Sequence, residues 1–280
     1  MEKKSLSELL CIGKSMLEKE NVPDAGYDSR ALLEYIYGIS KSDYFMNPHM
    51  EVDARPYMDA IKKRAERYPL QYITGEQWFM GYRFEVNENV LIPRQDTELL
   101  VEKTADIIKN IYGGKCSVLD MCTGSGCIAV SIDKICGDAD VTAVDVSENA
   151  LKTAKKNSEN NEAHVKFILS NLFENIDEKY DIIVSNPPYI PTKVIEGLMP
   201  EVRDYEPMLA LDGEKDGLLF YEKITEQACM HLKHGGYILY EIGCEQAQAV
   251  SDILAEKGYR DIKVYKDLAG LDRVVTAGFE

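Results

Sequence analysis

Long apolar runs and paired cysteines are both missing from this sequence. No stretch is long and apolar enough for a transmembrane helix, and residues 1–20 carry too many charges to contain the apolar region of a signal peptide. The seven cysteines form no CxxC pair and no zinc-ligand spacing. We therefore expect a cytoplasmic protein with reduced thiols and no metal site, and we expect no membrane as a partner.

Positive charge is scarce as well. Lys and Arg number 32 against 48 Asp and Glu, which gives a formal net charge of −16. Lys and Arg on phosphates supply most non-specific affinity for nucleic acids, so this balance disfavours DNA or RNA as the substrate and favours a protein or a small molecule. The few histidines form no constellation, and we assign them no chemistry: His49, His164, His231 and His234.

The apolar pattern divides the chain into three parts. Residues 1–70 show helical spacing interrupted by Pro and Gly, which predicts four or five short helices. Residues 71–95 are rich in aromatic and β-branched side chains, which favours a β-hairpin linker. In residues 96–280 a first helix is followed by short apolar runs that alternate with helical stretches. This rhythm predicts an α/β fold with a doubly wound, mainly parallel sheet that has an antiparallel end.

A glycine-rich loop follows the first predicted strand of that sheet, in the order Asp120-Met121-Cys122-Thr123-Gly124-Ser125-Gly126. Glycines let a backbone approach a ligand closely, so the loop predicts a nucleoside cofactor at the first strand-to-helix turn. Asp145, at the end of the second strand, suits ribose hydroxyls. Gly124-x-Gly126-x-x-Ala129 also fits a dinucleotide fingerprint, so NAD remains an alternative. Asp120 would repel a pyrophosphate but attract the ammonium and sulfonium groups of S-adenosylmethionine.

The tetrapeptide Asn186-Pro187-Pro188-Tyr189 directly follows another buried-type strand. Its prolines remove backbone donors and stiffen the loop, so the Asn186 side-chain oxygen and a nearby carbonyl become fixed acceptors. A planar NH2 group has two donors to offer them. The pattern predicts that the tetrapeptide orients an amide or aromatic amine, with Tyr189 stacked on the planar group. A rigid turn without a ligand is the alternative interpretation.

Together these motifs resemble the class I S-adenosylmethionine-dependent methyltransferases that act on NH2 groups. Flanking segments are similar to one family among them, the peptide chain release factor N5-glutamine methyltransferases, and the resemblance extends over essentially the whole chain. These segments are Tyr72–Glu76, Leu91–Glu98, Glu206–Pro207, Ala210–Leu211, Asp216–Leu218 and Asp267–Arg273. The resemblance implies a Rossmann-like class I methyltransferase domain, preceded by a small all-α domain that helps to hold the release factor and by the hairpin linker.

The resemblance also implies roles for individual residues. S-adenosylmethionine would be the cofactor and the glutamine of a Gly-Gly-Gln loop in release factors the substrate, with direct methyl transfer and no metal. The cofactor-binding residues would be Asp120, Cys122, Thr123, Gly124, Ser125, Gly126, Asp145, Asn171, Leu172 and Asn186. The catalytic residues would be Asn186, Pro187 and Tyr189, and the substrate would also meet Pro188 and Arg94. Asp96 and Glu98 are further candidates beside Arg94. The alternative is that Asp96 or Thr97 only caps the following helix and that Glu98 only stabilises its first turn.

Three residues depart from the family pattern. Cys122 stands where glycine is common, Gln95 where proline follows the arginine, and Asn171 where an acid often contacts adenine. None of these departures removes a proposed catalytic group, so they bear on cofactor affinity rather than on the reaction. A DNA or RNA amine methyltransferase remains the alternative function, and a protein that only docks release factors is a third.

Overall fold

The computed structural model describes residues 3–280, and its contacts divide the chain into two compact units. The first runs to Gly75 and includes Met199–Tyr205, and the second consists of Glu76–Leu198 and Glu206–Glu280. The predicted boundaries at residues 70 and 95 stay predictions, and the first two residues of the predicted helical part lie outside the described chain. Among the described helices, none is long and apolar enough to cross a membrane.

Helices make up most of the first unit, as the sequence predicted. They are α1 (Leu6–Lys19), α2 (Ala25–Tyr37), α3 (Lys41–Met46), α4 (Arg55–Ala65) and α5 (Leu70–Thr74). The sequence did not predict the small antiparallel sheet of β1 (Lys3–Ser5) and β2 (Glu51–Asp53). Ser5 and Glu8 form a capping box that starts α1. Gly13 lets α1 approach α4, because a Cβ atom there would lie 2.1 Å from the Tyr57 hydroxyl oxygen.

Four charged side chains form an ion cluster in this unit, and we call it the paired cluster: Asp28, Arg64, Arg67 and Glu201. Arg64 Nε donates to Asp28 Oδ2 over 2.6 Å, and Arg64 Nη2 donates to Glu201 Oε1 over 2.8 Å. Arg67 Nε donates to the other oxygen of Glu201 over 3.0 Å. Every charge in the paired cluster therefore meets an opposite charge.

The second unit begins with an antiparallel hairpin of β3 (Glu76–Phe79) and β4 (Tyr82–Glu85). Met80 and Gly81 form its two-residue turn, with φ angles of 52° and 80°. Two left-handed residues in succession give the turn the twist that a tight hairpin requires. The predicted hairpin is therefore present at this place in the chain.

A seven-stranded sheet forms the centre of the second unit, in the order β10-β11-β9-β8-β5-β6-β7. Its strands are β5 (Ser117–Met121), β6 (Asp140–Asp145), β7 (Val165–Leu169), β8 (Tyr180–Ser185), β9 (Leu232–Glu241), β10 (Arg260–Lys266) and β11 (Asp272–Gly278). All neighbours from β9 to β7 pair parallel, whereas β11 pairs antiparallel with both β9 and β10. The predicted α/β fold, with a mainly parallel sheet and an antiparallel end, is confirmed.

Helices pack on both faces of this sheet and bury its central strands, as in a doubly wound α/β fold. The helices of the remaining chain are α6 (Glu98–Asn110), α7 (Cys127–Cys136), α8 (Glu148–Asn160), α9 (Thr192–Ile195), α10 (Pro200–Arg203), α11 (Leu219–His231) and α12 (Ala247–Glu256). Of these, α10 belongs to the first unit. Ligands of such folds bind outside the carboxyl ends of the parallel strands, at the point where the strand order reverses, which here lies between β5 and β8.

Candidate active site

A cavity opens at the carboxyl ends of β5, β6 and β8. Most residues that the sequence assigned to the site line it: Arg94, Cys122, Thr123, Gly124, Ser125, Asp145, Asn171, Leu172, Asn186 and Pro188. The others do not line the cavity: Asp120, Gly126, Pro187 and Tyr189. The topology thus brings the glycine-rich loop and the Asn-Pro-Pro-Tyr segment together, although Gly126 and Asn186 are 60 positions apart in the sequence.

The glycine-rich loop is held in a tight left-handed conformation. Cys122, Gly124 and Gly126 have φ angles of 64°, 55° and 81°. A Cβ atom on Gly126 would lie 3.0 Å from the Ala154 Cβ, so glycine also permits the close approach of α8. Cys122 adopts the same conformation without being glycine, which costs conformational energy. Burial raises the pKa of its thiol, so a reactive thiolate is not expected there.

Asp120 lies under this loop and is fully buried. Its Oδ2 accepts from the Thr123 hydroxyl over 2.6 Å and from the Ala129 amide over 3.2 Å. Its Oδ1 is buried and has no hydrogen-bond partner among residues 3–280. Burial raises the pKa of Asp120 to about 7, against the lowering by those two donors. A buried carboxylate that lacks a counter-ion favours a cation nearby.

Asp145 ends β6 at the cavity wall. Its Oδ2 accepts from the Gly124 amide over 2.8 Å, and its Oδ1 accepts from the Ser147 amide over 2.9 Å. Burial raises its pKa, while the backbone donors lower it. Each carboxylate oxygen keeps lone-pair capacity for one more donor, so the pair can receive two neighbouring hydroxyl groups.

Asn171 and Leu172 follow β7 on another side of the cavity. Asn171 Nδ2 donates to Glu174 Oε1 over 2.7 Å, which leaves the Asn171 Oδ1 free to accept. Leu172 is nearly buried and has a φ angle of 49°. Together they offer an apolar contact and one polar group to a planar ligand.

Asn186 lies directly beyond β8 and faces the cavity. Its Nδ2 donates to the Thr97 hydroxyl oxygen over 3.4 Å. The amide nitrogen is therefore engaged with protein, and Oδ1 is left as an acceptor. The preceding Ser185 hydroxyl donates to the Met121 carbonyl over 2.7 Å, which fixes the end of β8 against β5.

Tyr189 does not line the cavity, although the sequence predicted that its ring would stack on the substrate. Its hydroxyl donates to Glu241 Oε1 over 3.2 Å, and its carbonyl accepts from Gln246 Nε2 over 3.0 Å. Glycine at Gly217 permits this packing, because a Cβ atom there would lie 2.2 Å from the Tyr189 carbonyl oxygen. In this structure Tyr189 fixes the loop through these two hydrogen bonds. Stacking of its ring on the substrate stays a prediction.

Arg94 is half exposed at the cavity and forms an ion pair with the buried Glu206. The second carboxylate oxygen of Glu206 accepts from the Ile92 amide over 3.1 Å. Glu206 thus fixes the backbone before Arg94 as well as its side chain. The sequence contributed Glu206 only as part of a family-like segment and gave no sign of this pairing across 112 positions.

The sequence offered Asp96 or Thr97 as a possible cap of α6 and Glu98 as an acid in its first turn, where Glu98 does lie. Thr97 precedes α6 but makes no capping hydrogen bond. Asp96 pairs with Arg273 over 3.3 Å, and the Glu98 carboxylate accepts from the Met80 amide over 2.7 Å. The capping interpretation is therefore wrong for Thr97. Its turn of 3-10 helix places the hydroxyl beside Asn186 instead.

Sequence comparison identifies relatives over nearly the full chain. Residues 95–199 match the methyltransferase small domain, and residues 8–75 match the PrmC N-terminal domain. The release factor glutamine methyltransferase of Clostridium acetobutylicum is 41% identical, over 97% of this chain and 98% of its own. The enzyme of the same name from Thermodesulfovibrio yellowstonii is 40% identical, over 92% of this chain and 95% of its own.

Comparison with solved structures supports the fold. A methyltransferase from Pyrococcus furiosus superposes with a TM-score of 0.53 and 20% identity, over 71% of this chain and 90% of that one. At this identity the likeness concerns the fold alone. It shows that the sheet and the helices packed on it have the fold of that methyltransferase.

Proposed function

We propose, because this chain belongs to the family of release factor glutamine methyltransferases, that it transfers a methyl group from S-adenosylmethionine to the side-chain amide nitrogen of a release factor glutamine. The acceptor would be the glutamine of a Gly-Gly-Gln loop. The observation that carries this proposal is the Asn186 side chain, which faces the cavity with its nitrogen engaged and its oxygen available.

The residues around the cavity fit S-adenosylmethionine. The buried Asp120 oxygen without a partner favours positive charge, as the ammonium and sulfonium groups would provide. Asp145 has the acceptor capacity for both ribose hydroxyls, and Asn171 with Leu172 would hold the adenine. Asp120 lies behind the loop, so it would act partly through the Thr123 hydroxyl that it accepts from. When bound, the cofactor supplies an electrophilic methyl group on a cationic sulfur.

The chain's own residues would orient the glutamine amide. Its nitrogen is a poor nucleophile because the lone pair is delocalised into the carbonyl. Two fixed acceptors, Asn186 Oδ1 and a carbonyl of the proline pair, would hold both N–H groups and turn the nitrogen toward the methyl carbon. They would also favour the positive charge that develops on nitrogen as the new N–C bond forms. As the N–C bond forms, the bond between the methyl group and sulfur would break and leave its electron pair on sulfur, and the nitrogen would lose one proton to solvent water.

Release factors are the proposed partner, and the helical first unit is the proposed docking domain. Its match to the PrmC N-terminal domain over residues 8–75 supports this assignment. The acidic chain supports a protein substrate over DNA or RNA, because the net charge of −16 opposes phosphate binding. A nucleic-acid amine methyltransferase remains the alternative that the test must exclude.

The test is transfer of labelled methyl from S-adenosylmethionine to a purified release factor. A release factor with the loop glutamine changed to Ala and a duplex DNA serve as parallel acceptors. Label on the wild-type release factor alone supports the proposal. Label on DNA but on neither release factor would overturn it in favour of the nucleic-acid reaction, and cofactor binding without any transfer would favour a docking protein.

A further inference from the structure

The side-chain amide of Asn186 has two possible orientations, which differ by the exchange of its oxygen and its nitrogen and have almost the same shape. The oxygen and nitrogen of an amide occupy nearly the same space, so packing alone does not decide which one faces the cavity. Only the oxygen can accept an N–H of the substrate. Something in the protein must therefore hold the Asn186 nitrogen away from the cavity.

Thr97 is the neighbour that receives the Asn186 nitrogen. It is 2% exposed and lies directly before α6, and its hydroxyl oxygen accepts from Asn186 Nδ2 over 3.4 Å. A hydroxyl has one proton to donate and two lone pairs. If the Thr97 proton pointed at Asn186, the amide would have to turn its oxygen toward Thr97 and its nitrogen into the cavity.

Glu241 gives the Thr97 proton another acceptor. This carboxylate ends β9, is 2% exposed, and its Oε1 accepts from the Tyr189 hydroxyl over 3.2 Å. Its Oε2 has no partner at hydrogen-bonding distance in residues 3–280. Burial raises its pKa, but the Thr97 hydroxyl and the Arg273 guanidinium favour the charged form. The Thr97 hydroxyl is therefore near enough to Glu241 to stabilise its charged form.

We propose that Thr97 and Glu241 are positioning residues that orient Asn186. Glu241 attracts the Thr97 proton, the Thr97 lone pair then faces Asn186 Nδ2, and Asn186 Oδ1 is left to accept from the substrate. The same carboxylate accepts from Tyr189, so one buried group fixes both ends of the Asn186-Pro187-Pro188-Tyr189 segment. The inference rests on the proposed function, since it concerns how that site holds an NH2 group.

Thr97→Val removes the hydroxyl and keeps the branched shape. We expect kcat for release-factor methylation to fall by up to about 100-fold, because the acceptor is no longer held in line. The Kd for S-adenosylmethionine should stay nearly unchanged, and Thr97→Ser should restore most of the lost kcat. Thr104→Val is the matched control: Thr104 is buried in α6 and its hydroxyl donates only to the Leu100 carbonyl. Its kcat should equal that of the wild type.

Glu241→Gln tests the other end of the arrangement. Its amide offers N–H groups as well as an oxygen, so the Thr97 proton is no longer attracted by a charge, and we expect kcat to fall while cofactor affinity persists. Wild-type kcat in Thr97→Val or in Glu241→Gln would overturn the inference, as would equal losses in Thr97→Ser and Thr97→Val. A wild-type protein that methylates no release factor would instead refute the proposed function.

Discussion

The buried charges of the paired cluster are all met by opposite charges, whereas two buried carboxylates around the cavity form no ion pair with a described residue. Asp28, Arg64 and Glu201 share hydrogen bonds of 2.6 and 2.8 Å. Asp120 and Glu241 are at least as deeply buried, yet each keeps one oxygen with no hydrogen-bond partner among the described residues. A buried carboxylate that lacks partners lowers the free energy of unfolding, so the stability of the fold does not explain why Asp120 and Glu241 are carboxylates. The charges of the paired cluster thus stabilise the helical unit, whereas Asp120 and Glu241 each keep an oxygen that a ligand or a neighbouring group could still engage.

The largest expected effect comes from breaking the paired cluster. Arg64→Met removes the cation that two carboxylates share, which should lower the free energy of unfolding by about 3–5 kcal/mol. Urea unfolding measures it. Lys14→Met in the same unit is the control, because the Lys14–Glu18 pair is exposed and should contribute little. A loss in Arg64→Met as small as that in the control would show that the paired cluster does not stabilise the fold.

Asp120→Asn tests whether the charge of Asp120 lowers the free energy of unfolding, in contrast to the charges of the paired cluster, which raise it. The pKa of Asp120 is about 7 in the folded protein, above its value of about 4 in an unfolded chain. Its contribution to stability is therefore full below pH 4 and is lost as the pH rises through 7. The stability of Asp120→Asn relative to the wild type should grow by about 3 kcal/mol from pH 5 to pH 8. Urea unfolding of both proteins at the two pH values measures it, and an unchanging difference contradicts it.

The same substitution should weaken cofactor binding. An ionised Asp120 favours the positive charges of S-adenosylmethionine, so wild-type affinity should rise between pH 6 and pH 7.5. Asp120→Asn should show a flatter profile and a Kd larger by about 10- to 100-fold at the higher pH, the usual size of a hydrogen bond to a charged group. Calorimetric titration checks both. Equal affinities of the two proteins would show that Asp120 does not contribute to binding of the cofactor.

The smallest effect is expected from Cys122→Gly. The substitution removes the conformational strain of a residue with a φ angle of 64°. Glycine also increases the conformational entropy of the unfolded chain, so the two effects oppose each other and the free energy of unfolding should change by less than about 1 kcal/mol. Affinity for S-adenosylmethionine should rise slightly, because removal of the Cys122 side chain leaves more space for the cofactor beside the loop. Urea unfolding and titration measure the two quantities. A fall in affinity would show that the thiol contacts the cofactor favourably.

Local patterns predicted the fold well. The run Ser117–Met121 is a strand with those bounds, because apolar residues buried on both faces leave a continuous signal. Val165–Leu169 is also a strand with the predicted bounds, although it lies at the edge of the sheet and is only partly buried. The antiparallel end of the sheet followed from the short connection through Gly270. Strand ends with polar residues were less visible: β9 begins at Leu232, five residues before the predicted Tyr237, since Lys233 to Gly236 carry no strand pattern.

The cavity could be predicted only where a motif is continuous in the sequence. The loop around Gly124 and the segment around Asn186 were visible for that reason, and their meeting followed from the rule for parallel sheets. The residues behind them were not visible. Glu241 contacts Tyr189 across 52 positions and Thr97 contacts Asn186 across 89, and no local periodicity encodes such pairs. A lone acid at the end of a buried strand was the one signal for Glu241.

Methylation of the side-chain nitrogen of a release factor glutamine, with Asn186 as the orienting residue, is the function proposed for this chain. The most direct measurement is fragment mass spectrometry of a release factor after incubation with S-adenosylmethionine and either the wild-type protein or Asn186→Ala. We expect one methyl group on the glutamine side-chain nitrogen of the Gly-Gly-Gln loop with the wild type, and almost none with Asn186→Ala even though that variant still binds the cofactor. A methyl group on any other residue, or equal methylation by both proteins, would contradict it.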